Sequence, residues 1–378
     1  MAATSPARTT AAGAGERLRR LLDERIVVLD GPWGTMLQGA GLAAADYRGD
    51  ILRDHPQDVT GDPDLLNLTR PDVVLDIHRQ YLAAGADITT TNTFTATSIG
   101  QADYGLQSLV AEMNLRGAQL ARQAVDEADA ADAAEANAAD ATDGATHGVG
   151  HAPGRRFVAG SVGPLNVTLS LSPRVEDPAY RAVSFDQVYA AYAEQVRALA
   201  DGGVDLLMVE TIFDTLNAKA AIAAARDVAP ELPLWISATI VDLSGRTLSG
   251  QTLEAFWTSV EQAGPLVAGL NCSLGAEEMR PYVAELSRLA TTYTACHPNA
   301  GLPDAFGGYD QKPAETARLL GEFARAGMVN VVGGCCGTSP AHIAEIAAAV
   351  AGLPPRPVPV HAPRTRFSGL EPFGIDAG

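Results

Sequence analysis

The sequence predicts an α/β fold, a closed (β/α)8 TIM barrel carrying an acidic inserted loop and a C-terminal linker. Three observations predict it. Eight short apolar runs recur along the chain, each too short for a helix. A longer helical pattern follows each run. The polar and sulfur-bearing residues that stand out lie directly after the runs, where a barrel of this kind builds its active site.

The runs are residues 26–29, 87–91, 157–159, 206–210, 234–238, 267–271, 291–295 and 329–332. The helical patterns cover 71–84, 108–126, 185–201, 214–228, 251–263, 276–289, 312–326 and 339–351. Pro71 sits at a first turn, and Ser339-Pro340 supplies an N-cap followed by a proline at the first helical position. Gly85, Gly202, Gly264 and Gly327 lie just past helix ends. A doubly wound sheet would open on a glycine-rich phosphate turn. The segment Asp30-Gly31-Pro32-Trp33-Gly34-Thr35 does not have that pattern.

The division expected is a flexible start over 1–20, a barrel over 21–352 and a proline-rich linker over 353–378 that leads toward a further domain. Residues 126–154 hold seven of the chain's 45 acidic residues and no Lys or Arg. They read as a helix extension running into a solvated loop.

The 378 residues carry a net charge of −18, with 47% hydrophobic and 19% charged residues. That apolar content is ample for a large core. The negative field repels phosphate backbones, so no nucleic-acid partner is expected. No apolar run reaches the ~18 residues of a membrane span, so no membrane partner is expected either. Four cysteines are too few for a disulfide scaffold, and the start lacks the apolar core of a secretory signal, which points to a reducing cytoplasm.

Runs six and eight end in Asn271-Cys272 and Gly333-Gly334-Cys335-Cys336-Gly337, which brings three thiols to one rim. Three thiolates form a soft donor set that selects zinc and leaves one position open, the catalytic pattern. Such a site offsets the ion's charge and activates water poorly. It can still hold an incoming thiol as thiolate near neutral pH, where a free thiol is mostly protonated. The chemistry implied is alkyl transfer to sulfur. Cys296 reads as a core cysteine, His297 as a satisfied structural histidine and Asp214 as a helix N-cap, while Trp33 either walls the pocket or packs.

Seven motifs together carry a resemblance. They are Asp30-Gly31-Pro32-Trp33-Gly34-Thr35-Met36-Leu37-Gln38, Leu66-Asn67-Leu68-Thr69-Arg70-Pro71, Thr91-Asn92-Thr93-Phe94, Gln101-Ala102-Asp103-Tyr104-Gly105-Leu106, Gly269-Leu270-Asn271-Cys272, Pro298-Asn299-Ala300-Gly301-Leu302-Pro303 and Gly333-Gly334-Cys335-Cys336-Gly337-Thr338. From about residue 20 to its end the chain resembles the homocysteine-binding module of cobalamin-dependent methionine synthases, in the homocysteine S-methyltransferase family.

The resemblance implies that Cys272, Cys335 and Cys336 ligate zinc. Asp30 and Gly31 would contact the amino-acid head of L-homocysteine, and Glu210 would pair with its ammonium. Ser161 would touch its carboxylate, and Asn299 would approach the zinc when no thiol is bound. It also implies methylcobalamin as donor, on another domain or in trans, with cobalamin and folate domains of the same or a partner chain as partners. The tail 366–372 looks like the family's linker to the folate domain. Thr90 stands where members often have glutamate, one residue before the rim and expected clear of the chemistry. Rival readings are a free-standing methyltransferase using S-methylmethionine or betaine, and a zinc-storing or scaffold module.

Overall fold

The structure, a computed structural model, describes residues 6–140, 156–241, 243–304, 308–362 and 364–375. In chain order the elements are α1 (Pro6–Glu24), β1 (Val27–Val28), α2 (Trp33–Gly39), α3 (Ala44–Arg48), α4 (Leu66–Thr69), α5 (Pro71–Ala83), β2 (Ile88–Thr90), α6 (Val110–Asp140), β3 (Phe157–Val162), α7 (Phe185–Asp201) and β4 (Leu206–Ile212). They continue with α8 (Thr215–Val228), β5 (Leu234–Ala238), α9 (Leu253–Val260), β6 (Val267–Gly275), α10 (Ala276–Leu289), β7 (Tyr293–Asn299), α11 (Pro313–Arg325), β8 (Val331–Val332), α12 (Pro340–Val350), β9 (Thr365–Ser368) and β10 (Pro372–Ile375).

Strands β1 to β8 form one parallel sheet in the order β1-β8-β7-β6-β5-β4-β3-β2. A parallel bridge between Leu29 and Ile88 closes the ring, with Asp30 N donating to Ile88 O at 3.0 Å. The architecture is the predicted (β/α)8 barrel. Among the described residues no helix is long and apolar enough to cross a membrane.

Strand residues alternate between two cores, as a period of two requires. Leu206 and Met208 join an interior cluster with Val27, Leu29, Ile88, Phe157, Trp235, Val267 and Val331. Leu207 and Val209 join the larger cluster between sheet and helices. The same alternation carries the inward side to Thr90, Ser161, Glu210, Asn271 and His297 at the C-terminal ends of β2, β3, β4, β6 and β7. The barrel therefore has an apolar floor and a polar upper layer.

Three regions depart from the sequence reading. At the start, where a flexible segment is expected, α1 is helical, and its Leu18, Leu21 and Leu22 join the interior cluster and plug the N-terminal mouth. The i, i+3, i+4 spacing of those leucines makes one apolar stripe.

The acidic segment begins as the expected helix extension, since α6 runs to Asp140, and residues 141–154 lie outside the described residues. Its described part is not simply solvated. Asp129 and Asp132 hold the buried Arg156 at 3.0 and 2.7 Å, and Glu127 pairs with Arg79 at 2.8 Å.

The tail is docked rather than free. The Arg356 guanidinium is buried and donates to the carbonyls of Ser287, Ala290 and Thr292. Strands β9 and β10 make an antiparallel hairpin that Ser368 ties to Ala255 of α9.

Candidate metal centre and substrate pocket

The three predicted thiols meet at the C-terminal mouth. Cys272 ends the regular part of β6, where the register with β7 shifts between Asn271 and Gly275. Cys272 and Ser273 have φ of 61° and 63°, and Thr211, beside Glu210, has 56°. These are the non-glycine residues with positive φ among the described residues, and all three lie at this rim. Left-handed backbone costs a side chain energy, so its confinement here marks a site that aims side chains against local preference.

Cys335 and Cys336 follow β8 in a turn held from both sides. Cys335 N donates to Pro298 O at 2.8 Å, Ala300 N donates to Cys336 O at 2.9 Å, and Gly337 N donates to Thr35 Oγ1 at 3.0 Å. A Cβ on Gly334 would lie 2.2 Å from Thr338 Oγ1, so the turn closes only with glycine there.

Cys272 Sγ lies 3.9 Å from Cys336 Sγ, and all three sulfurs lie within 4.8 Å of one another. A tetrahedral zinc with bonds of ~2.3 Å spaces its sulfurs ~3.8 Å apart, so the set fits that ion. Electrostatics agree. Hydrogen bonds from Cys272 and Cys335 pull Cys336 down to about 3. Hydrogen bonds to Cys272 and Cys336, with burial, push Cys335 well above its ordinary value. Alone, the trio carries one thiolate comfortably; three together need a cation. Cys296 faces the other way, buried against Met279 Sδ at 3.8 Å, as a core cysteine.

The polar layer of the barrel carries the remaining residues. Ser161 Oγ donates to Glu210 Oε1 at 2.6 Å. That hydrogen bond orients Glu210. Burial pushes Glu210 up to about 7.

Asp30 accepts from Thr89 Oγ1 at 2.8 Å, Thr90 N at 2.7 Å and Thr90 Oγ1 at 3.1 Å, and burial raises it to about 7 as well. Thr90 is therefore not clear of the site, because it hydrogen-bonds a site carboxylate. Gly31 follows Asp30, and a Cβ there would sit 2.7 Å from the Tyr81 ring. Asn299 is buried at the end of β7 with its Oδ1 unpartnered among the described residues.

The secondary readings divide. Asp214 caps α8, accepting from Leu216 N and Asn217 N at 2.8 and 3.1 Å. Trp33 packs edge-on against His78 at 4.7 Å and donates to Thr90 O at 3.3 Å. His297 is not a satisfied structural histidine: it is buried, and neither ring nitrogen has a hydrogen-bond partner among the described residues. Sequence reasoning also missed the supports. Ser237 Oγ donates to Asn271 Oδ1 at 2.7 Å, and Asn271 Nδ2 donates to Thr211 Oγ1 at 2.8 Å, which steadies the backbone beside Cys272 and Glu210. Only their inward parity could have revealed them.

The sequence profile of the homocysteine S-methyltransferase family matches residues 27–350. Among solved structures, the metallated form of the homocysteine methyltransferase MmuM from Escherichia coli is 25% identical, with a TM-score of 0.63, over 88% of this chain and 99% of that one. Its oxidized form aligns with a TM-score of 0.65 at the same identity and coverage.

Proposed function

The chain belongs to the homocysteine S-methyltransferase family, and from that premise we propose that it presents L-homocysteine, with zinc at Cys272, Cys335 and Cys336, for methylation to methionine by methylcobalamin. The donor would be carried on another domain, of the same or a partner chain. The observation that carries this reading is the three-sulfur cluster placed above a buried carboxylate.

Bound zinc would supply the positive charge that keeps the substrate sulfur ionised near neutral pH. The chain's own residues do the rest. Glu210, oriented by Ser161, receives the substrate ammonium, and pairing with that cation favours its ionised form. Asp30, fixed by Thr89 and Thr90, adds a second carboxylate on the same side of the barrel. The cysteines are half-buried and face the open mouth, which leaves a bulky donor an approach. Free thiols at the site suit a reducing compartment such as the cytoplasm.

A second reading keeps the same site and changes the donor to a small molecule, S-methylmethionine or betaine. The match across 99% of the E. coli methyltransferase favours it, since that protein is scarcely more than the aligned barrel. One assay separates the readings. Zinc-loaded protein is given L-homocysteine with free methylcobalamin, with S-methylmethionine, or with betaine. Methionine formed with methylcobalamin supports the first reading; turnover with only a small-molecule donor overturns it.

A further inference from the structure

His297 is a buried polar side chain of the upper layer that the site as described leaves unused. It sits on the inward face of β7, in register with Asn271 of β6, and only 3% of its side chain is exposed. Its ring meets Trp235 edge to face at 5.9 Å. Its Nε2 lies 3.9 Å from Glu210 Oε2, across the polar layer. Both ring nitrogens lack a partner among the described residues, as does Oδ1 of Asn299, two residues further along the same face. A buried polar atom without a partner costs about 1–3 kcal/mol, so an unpartnered Nε2 that faces a buried carboxylate across 3.9 Å marks a place for a polar guest.

The spacing identifies the guest. At 3.9 Å, Nε2 and Oε2 are too far apart to bond each other. A single nitrogen placed ~2.9 Å from each reaches both. Burial lowers His297 to about 3, so the imidazole is neutral; with its proton on Nδ1, Nε2 is an acceptor. Two acceptors, one of them a carboxylate, suit an ammonium group, which has three donors to spend.

We propose that His297 is a substrate-binding residue whose Nε2 accepts a hydrogen bond from the α-ammonium of the thiol substrate, sharing that group with Glu210 and selecting thiols that carry a free α-amino group. This rests on the homocysteine reading above and names the residue that reads the amino group.

The test compares binding of L-homocysteine with 4-mercaptobutanoate, the same thiol acid without its amino group, to zinc-loaded protein by calorimetry. Wild type is expected to favour homocysteine by at least tenfold. His297→Phe keeps an aromatic ring against Trp235 and is expected to cut that preference about tenfold. Its affinity for 4-mercaptobutanoate should stay within twofold, and its zinc should remain at one ion per chain. His297→Gln restores an acceptor near Nε2 and is expected to recover much of the preference. Where the phenyl ring is not tolerated, His297→Asn, whose amide is too short to reach, gives the same reading as Phe. An unchanged preference in these variants overturns the proposal, as does an equal loss for both thiols. Wild type that binds neither thiol contradicts the homocysteine reading itself, a separate outcome.

Discussion

Cys272 carries its role at a backbone position that cysteine rarely adopts. At φ 61° it is strained, and its sulfur stands 3.9 Å from that of Cys336. Replacing it removes a third of the donor set. Metal analysis of Cys272→Ser is expected to give far less than one zinc per chain, whereas Cys296→Ser, outside the cluster, keeps its zinc. Zinc retained at full affinity in Cys272→Ser contradicts the ligand set.

Glu210 makes a different prediction, because its folded value of about 7 lies above its ordinary 4.5. Between those values the folded carboxyl holds a proton that the unfolded one has released, so zinc-free protein loses stability as pH rises from about 4.5 to about 7. Asp30, raised from 3.8 to about 7, adds to the same trend. Glu210→Gln removes one share, so its melting temperature should fall less across that window. The same variant should weaken homocysteine binding about 10- to 100-fold, the scale of a lost charge-assisted hydrogen bond. A melting curve with undiminished pH dependence would count against the assignment.

At the scale of elements, the plug at the barrel's N-terminal mouth is the feature most open to test. Leu22 of α1 is fully buried in the interior cluster. Leu22→Ala is expected to cost about 2–5 kcal/mol in urea unfolding while leaving zinc stoichiometry unchanged, since the three cysteines proposed to hold the metal lie at the opposite mouth. A change below ~0.5 kcal/mol would mean that α1 does not close the barrel.

Legibility differed between elements for physical reasons. The barrel strands stand out because they are mostly buried on both faces and their runs are mostly apolar or β-branched, as in Leu234–Ala238. At residues 1–20 an opening rich in Ala, Thr and Ser masks the Leu18, Leu21, Leu22 stripe and suggests a loose segment. The tail misled in the same way. Its prolines signal an extended chain, and it is extended, yet Arg356 finds carbonyl partners that only the folded barrel assembles. The site divides along the same line. Cys272, Cys335 and Cys336 announce themselves by chemistry and by following predicted strands. Thr89 and Thr90 reach Asp30 across the barrel from a distant part of the sequence, and the unpartnered state of His297 shows only in the fold.

At the scale of the whole molecule, the fold separates stability from chemistry. The interior floor is apolar and plugged, the upper layer is polar, and the thiols stand at the open mouth. Some of the acidic side chains on the long helix α6 pin Arg156 beside the start of β3, a structural use of charge. What the molecule is built to do comes down to whether a substrate sulfur completes the set begun by the three cysteines. X-ray absorption at the zinc edge, recorded on zinc-loaded protein without and with L-homocysteine, reads that directly. The expected result is three sulfur neighbours rising to four, at ~2.3 Å. A sulfur count that stays at three when homocysteine is saturating would contradict the account.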